Sequence, residues 1–158
     1  MLNKISLSFI FSTLLFSSPL FCEIEHQEAI LVPSSEQLVW KSAPNFLPAG
    51  AQVAIIFGNP QQTGPFTLRL KLPANYVIGP HFHPEDENMT VLSGSVNIGM
   101  GEQKIEKNKG LKLSSGSFLH VPKKMVLSLW TDEPAIIQLN NSGPWNLEYS
   151  HSEEPKAH

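Results

Sequence analysis

Short apolar runs, broken again and again by glycine and proline, leave this chain little to fold into except strands. Thirteen prolines and ten glycines are spread through its 158 residues. Turn signals stand at Gly58-Asn59-Pro60, Leu72-Pro73-Ala74, Ser93-Gly94, Ser115-Gly116 and Asp132-Glu133-Pro134. Glycine opens positive φ and proline removes a backbone donor, so each signal closes a regular segment. Between them, strands are predicted over 51–57, 66–72, 75–83, 88–92, 95–100, 110–113, 117–121, 126–130 and 135–140, with shorter ones over 30–32 and 38–40. In Thr67-Leu68-Arg69-Leu70-Lys71-Leu72 the leucines alternate with polar residues and share one face of a strand. No window repeats apolar residues at helical spacing over several turns. The chain therefore reads as all-β, and alternation alone leaves a jelly-roll barrel and an immunoglobulin-like sandwich equally open.

Length allows one domain with a real core. Residues 1–22 read as a secretory signal peptide rather than as fold: Lys4 gives a positive start, 5–16 is apolar apart from serine and threonine, and Ser17-Ser18-Pro19 breaks the segment. The apolar stretch is shorter than the roughly 20 residues a bilayer span needs, so no stable membrane anchor is expected. Cleavage is expected after Cys22. A lipoprotein is also processed at a cysteine so placed, but Phe21 stands where that signal resembles one only with a small side chain. Removal leaves a periplasmic or secreted protein without cysteine, hence without disulfides. Residues 23–44 are then an N-terminal extension, 45–149 the barrel domain and 150–158 a charged, frayed tail.

The mature chain carries ten cations against fourteen acids, a formal charge of −4. Lys104, Lys107, Lys109 and Lys112 form the densest basic cluster, but Glu102 and Glu106 interleave with them, which suits a solvated loop. No nucleic-acid surface is expected. Nucleophilic catalysis is disfavoured too, since Ser93-Gly94-Ser95 lacks the strand-to-helix setting of a nucleophile elbow.

The chemistry-bearing stretch is Gly79-Pro80-His81-Phe82-His83-Pro84-Glu85-Asp86-Glu87. Residues two apart on a strand share a face, so His81 and His83 can point at one spot. Pro84-Glu85-Asp86 is turn-like and can return Glu87 beside them. Two imidazoles and a carboxylate suit a divalent transition metal with positions left open for substrate. Glu85 and Asp86 read first as turn carboxylates in solvent, and only secondarily as an acid or base. Phe118, Trp130 and Trp145 are aromatic candidates for a cavity wall, though strand aromatics are usually core.

In this stretch the chain resembles the cupin superfamily, whose first motif runs His-x-His, three or four residues, Glu, six residues, Gly. His81, His83, Glu87 and Gly94 match that spacing, while the motif's leading glycine falls at Asn75. The second motif is degenerate. Gly116 and Pro122 match, but Lys124 replaces its second glycine, Leu127 its metal-binding histidine and Thr131 its asparagine. The resemblance implies a cupin-type double-stranded β-helix, a jelly-roll barrel, and is greatest to small exported single-domain cupins; Ser142-Gly143-Pro144-Trp145 adds to it. It further implies iron, manganese, zinc or nickel at His81, His83 and Glu87, and a small-molecule ligand or substrate handled by a metal-dependent oxygenase or isomerase. His120 is a substitute ligand if its side chain enters the barrel, which a one-residue register change reverses. The alternative is a non-catalytic periplasmic ligand-binding cupin that has lost its metal. Barrels of this kind also pair through an outer sheet, so a homodimer is a further expectation, with 23–40 as an exchanged segment.

Overall fold

A computed structural model describes residues 29–32, 34–101, 105 and 107–150. The signal segment with Cys22, the loop residues 102–104 and 106, and the tail from 151 lie outside the described residues.

Eleven strands follow in order: β1 (Lys41–Ser42), β2 (Gln52–Phe57), β3 (Gly64–Leu72), β4 (Val77–Phe82), β5 (Glu87–Ser93), β6 (Ser95–Met100), β7 (Leu111–Ser114), β8 (Phe118–Val121), β9 (Leu127–Trp130), β10 (Ala135–Gly143) and β11 (Glu148–Tyr149). Single 3-10 turns lie at Ser35–Gln37 and Lys107–Lys109. One sheet runs β1-β2-β3-β10-β5-β8 and the other β11-β4-β9-β6-β7. Every described pairing is antiparallel. The fold is the expected all-β jelly roll. No helix among the described residues is long and apolar enough to cross a membrane.

Alternation sets which faces meet. Leu68, Leu70 and Leu72 are buried, while Thr67, Arg69 and Lys71 on the other face are not. They join Val91, Ile137 and Leu139 from the same sheet and Ile78, Val96, Ile98 and Leu129 from the opposing one in a single core. Burial of such side chains is worth about 1.5–3 kcal/mol each and is what holds the two sheets together. β6 and β9 break the alternation, with every residue of β9 buried. Trp130, on the face of β9 away from the core leucines, is covered by Gly99 and Gly110, where a Cβ at Gly110 would come within 2.2 Å of the ring.

Two expected strands are absent. Residues 30–32 and 38–40 carry no strand, and Ile30, Leu31 and Val39 are 60%, 83% and 77% exposed. Short apolar triplets without a sheet edge to join gain nothing by extending. Two strands were not read from the sequence, β1 and β11. Both are two residues long and partly polar, so neither carries a periodic signal. β1 pairs Lys41 with Val53 and Ser42 with Gln52, which puts paired structure inside the segment read as an extension.

Candidate functional site

The expected trio does gather inside the barrel. Ile78 and His81 are three apart, an odd spacing that should send them to opposite faces, yet both are buried. A register shift in the β4–β9 pairing between them absorbs the extra residue and turns His81 inward. His83 follows just past β4, its carbonyl accepting from Lys124 N at 2.9 Å. The chain then reverses through Pro84–Asp86, where Asp86 Oδ1 accepts from Lys123 N at 2.8 Å, and Glu87 opens β5. His81, His83 and Glu87 are 3%, 6% and 8% exposed. His83 Nε2 lies 3.4 Å from Glu87 Oε2, and the two imidazole rings stand nearly perpendicular with centroids 5.1 Å apart.

Hydrogen bonding fixes the tautomers. His81 Nδ1 lies 2.8 Å from the Gly79 carbonyl, and His83 Nδ1 lies 2.8 Å from the Asn146 carbonyl. A carbonyl only accepts, so in each ring Nδ1 bears the proton and Nε2 of the neutral form keeps its lone pair. His83 Nε2 is buried and has no hydrogen-bond partner. Burial lowers the His81 pKa to about 4, with the His83 charge adding to the drop and the Gly79 carbonyl opposing it. Burial raises the Glu87 carboxyl, opposed by His83 and by the neighbouring Trp145 indole. Both shifts express the cost of charge in a dry site.

The degenerate second motif is visible in space. Leu127 is buried and directly opposite His81 in the β4–β9 register, an alkyl group where an imidazole would complete the set. Thr131 has become structural: its Oγ1 donates to the Pro73 carbonyl at 2.6 Å and accepts from Tyr76 N at 3.0 Å. His120 does not join the site. Glu87 pairs with Val121 and Asn88 with His120, so alternation turns His120 outward; it is exposed, and its Nδ1 lies 2.9 Å from Asn88 Oδ1. Glu85 and Asp86 are exposed turn residues. Phe118 is 61% exposed and is not part of this cavity's wall, and Trp130 faces Gly110 rather than the cavity; of the three aromatic candidates only Trp145 forms part of its wall.

That cavity is narrow. Its enclosed space amounts to about 20 Å³, room for about one water. His81, His83, Glu87 and Trp145 form its polar end, and the rest is apolar, including Leu70, Met89 and Leu127. A strap over residues 144–150 contributes Trp145 and Leu147 to its wall. Trp145 N donates to the Pro60 carbonyl at 2.6 Å and Ser150 N to the Pro80 carbonyl at 2.9 Å, Tyr149 pairs with His81, and the Tyr149 hydroxyl donates to the Phe46 carbonyl at 3.1 Å. Sequence reasoning found the trio but not this strap, because backbone carbonyls that hold imidazoles leave no signature in residue type.

As a metal site the arrangement fits in donor type, in tautomer and in the unpartnered His83 Nε2, which is the arrangement a metal-ligating imidazole shows when its other nitrogen is held. It stops short in geometry: no group of three or more His, Cys, Asp or Glu side chains among the described residues is arranged to hold an ion.

No family model matches the chain, and no curated protein matches it in sequence. Solved structures do match. The polyketide cyclase RemF from Streptomyces resistomycificus superposes with a TM-score of 0.63 at 13% identity, over 80% of this chain and 90% of that one. KdgF from a Halomonas species gives 0.56 at 17% identity, over 73% and 94%. An RmlC-like cupin from Shewanella frigidimarina gives 0.53 at 13% identity, over 69% and 86%. Likeness at such low identity speaks to architecture alone: the chain has a cupin-type jelly-roll fold.

Proposed function

We propose that the barrel interior is a small-molecule site in which His81, His83 and Glu87 hold a divalent transition metal, and that the protein acts on its ligand as a metal-dependent oxygenase or isomerase. The observation that carries this is the paired imidazoles, each with Nδ1 committed to a carbonyl and Nε2 left with its lone pair, one of them buried without a partner. A buried polar atom left unsatisfied costs stability, and an ion is one way to satisfy it. Iron, manganese, zinc or nickel would supply Lewis-acid activation there. The chain's own part is to keep the imidazoles neutral and oriented, and to exclude water with the strap and the apolar wall. Export to the periplasm or cell exterior after removal of residues 1–22, and pairing of two copies through an outer sheet, belong to the same reading.

A second reading is favoured by Leu127: with an alkyl group opposite His81 and no closed donor set, the barrel binds its ligand without metal and without turnover. One titration separates the two. Metal-stripped mature protein is titrated calorimetrically with iron(II), manganese, zinc and nickel, and its thermal midpoint followed, since a ligand of the folded state raises it. Saturable binding is expected, weakened at least about tenfold (about 1.4 kcal/mol) in His83→Ala and tightened at least as much in Leu127→His. Absence of binding by all four ions rejects the metal and leaves the second reading.

A further inference from the structure

We infer that the strap over residues 144–150 is a positioning element: docked, its Asn146 carbonyl keeps the His83 proton on Nδ1 and the Nε2 lone pair beside Glu87, and undocking lets the proton move to Nε2 and withdraws that lone pair. Asn146 thereby positions through its main chain, a role that rests on the reading of His81, His83 and Glu87 as one ligand site and not on any particular ion.

The two imidazoles are alike in chemistry and unlike in what holds them. His81 Nδ1 is held by the Gly79 carbonyl, two residues away on its own strand, so its tautomer is set once β4 forms. His83 Nδ1 is held by the Asn146 carbonyl, 63 residues further along the chain and inside the strap. The tautomer of His83 is therefore tied to strap docking. Its Nε2 lies 3.4 Å from Glu87 Oε2 and is buried without a hydrogen-bond partner. A histidine released to water favours the Nε2–H form, in which Nε2 offers a proton and can receive neither a donor nor a cation.

The strap touches the other two members as well. The Tyr149 ring stands against the His81 ring, centroids 6.4 Å apart. The Trp145 indole lies close enough to the Glu87 carboxyl to favour its charged form. Trp145, Asn146 and Tyr149 thus reach all three side chains. The strap is itself held by separate, mostly single contacts. Leu147 is buried, Trp145 meets Phe46 edge-on at 5.0 Å, the Tyr149 hydroxyl bonds to the Phe46 carbonyl, and Glu148 pairs with Lys124 at the surface. A segment so held opens locally at a lower free energy than the whole fold.

Hydrogen exchange tests the coupling in the full mature chain, metal-free and ¹⁵N-labelled, at a pH of about 8 where a free imidazole is neutral. Two-bond nitrogen–proton couplings are expected to place the His83 proton on Nδ1 in the wild type. Tyr149→Phe deletes the hydroxyl bond and keeps the ring against His81. It is expected to speed exchange of the strap amides about fivefold, the factor for one lost hydrogen bond, and that of the His83 Nδ1 proton equally, within about twofold. The His81 Nδ1 proton, held by its own strand, is the internal control and is expected to keep its rate. Leu147→Ala removes a buried anchor and is expected to raise both rates further, with a larger share of His83 as Nε2–H. The inference is overturned by a wild-type His83 in the Nε2–H form, or by a His83 proton that keeps its rate while the strap amides quicken. Strap amides that quicken in neither variant overturn it too, as does a His81 proton that quickens equally, the sign of general loosening. The metal titration is decided separately: rejection of the ion leaves this result intact, and failure here leaves the ion untouched.

Discussion

Lys124 and Asn75 stand where the two cupin motifs would carry glycine, and both hold the left-handed backbone that glycine supplies, with φ of 65° and 60°. Asparagine tolerates this conformation; for lysine the strain is of order 1–2 kcal/mol. It is offset in part by contacts, the ammonium lying 4.6 Å from the centre of the Phe82 ring and 3.7 Å from Glu148. Glycine at 124 relieves the strain but loses the contacts, whereas alanine loses the contacts and keeps the strain. Lys124→Gly should therefore be more stable than Lys124→Ala by about 1 kcal/mol in urea unfolding. At an ordinary position alanine would be the more stable of the two.

His81 carries a pH signature. Its folded pKa lies near 4, below the 6.5 of the free side chain, so between those values the unfolded chain binds the extra proton and stability falls as pH falls. Glu87, raised in the fold, pulls the opposite way, since its neutral form is the one the fold prefers and stability is lost as pH rises above the free carboxyl value. Comparing metal-free wild type with His81→Gln cancels the Glu87 contribution. From pH 7 to pH 4 the wild type should lose about 3 kcal/mol relative to the variant, most of it below pH 6.5. At this scale the sequence was legible where spacing carried meaning: His81, His83 and Glu87 line one cavity, though among the described residues they do not close into a metal-holding group. It was silent on His120, because one residue of register decides whether a strand side chain faces in or out.

Among the elements, the β5–β6 hairpin is the least forgiving. Gly94 turns it with φ +68°, and a Cβ there would lie 2.2 Å from the Pro134 carbonyl oxygen. Gly94→Ala meets both a strained left-handed backbone and a backbone clash, and should cost about 2 kcal/mol or more in equilibrium unfolding. The strands themselves were read from alternation and turn residues, and nine of the eleven were expected within a few residues of where they lie. The strap and β11 were not. Their hold on the barrel is made of main-chain bonds to Pro60 and Pro80 and a tyrosine hydroxyl bond to Phe46, and none of these depends on a periodic pattern. Tyr149→Phe, which deletes that hydroxyl bond, should loosen the strap by about 1 kcal/mol, seen as faster amide exchange confined to 144–150.

For the molecule as a whole, one apolar interior shared by two sheets was foreseeable from the density of turn signals and the alternating leucines. Choosing the jelly roll over a sandwich needed the histidine motif. The larger sheet has a consequence for how the protein is made. β10 lies between β3 and β5, pairing Leu139 with Leu68 on one side and with Met89 on the other, although those partners are far apart along the chain. Until residues 135–143 arrive, β3 and β5 each present a bare row of amides and carbonyls that a neighbouring molecule could occupy instead. Refolding from denaturant should accordingly be slow, in the millisecond-to-second range of non-local β topologies, and its yield should drop as protein concentration rises, because the latecomer competes with every other copy in the tube.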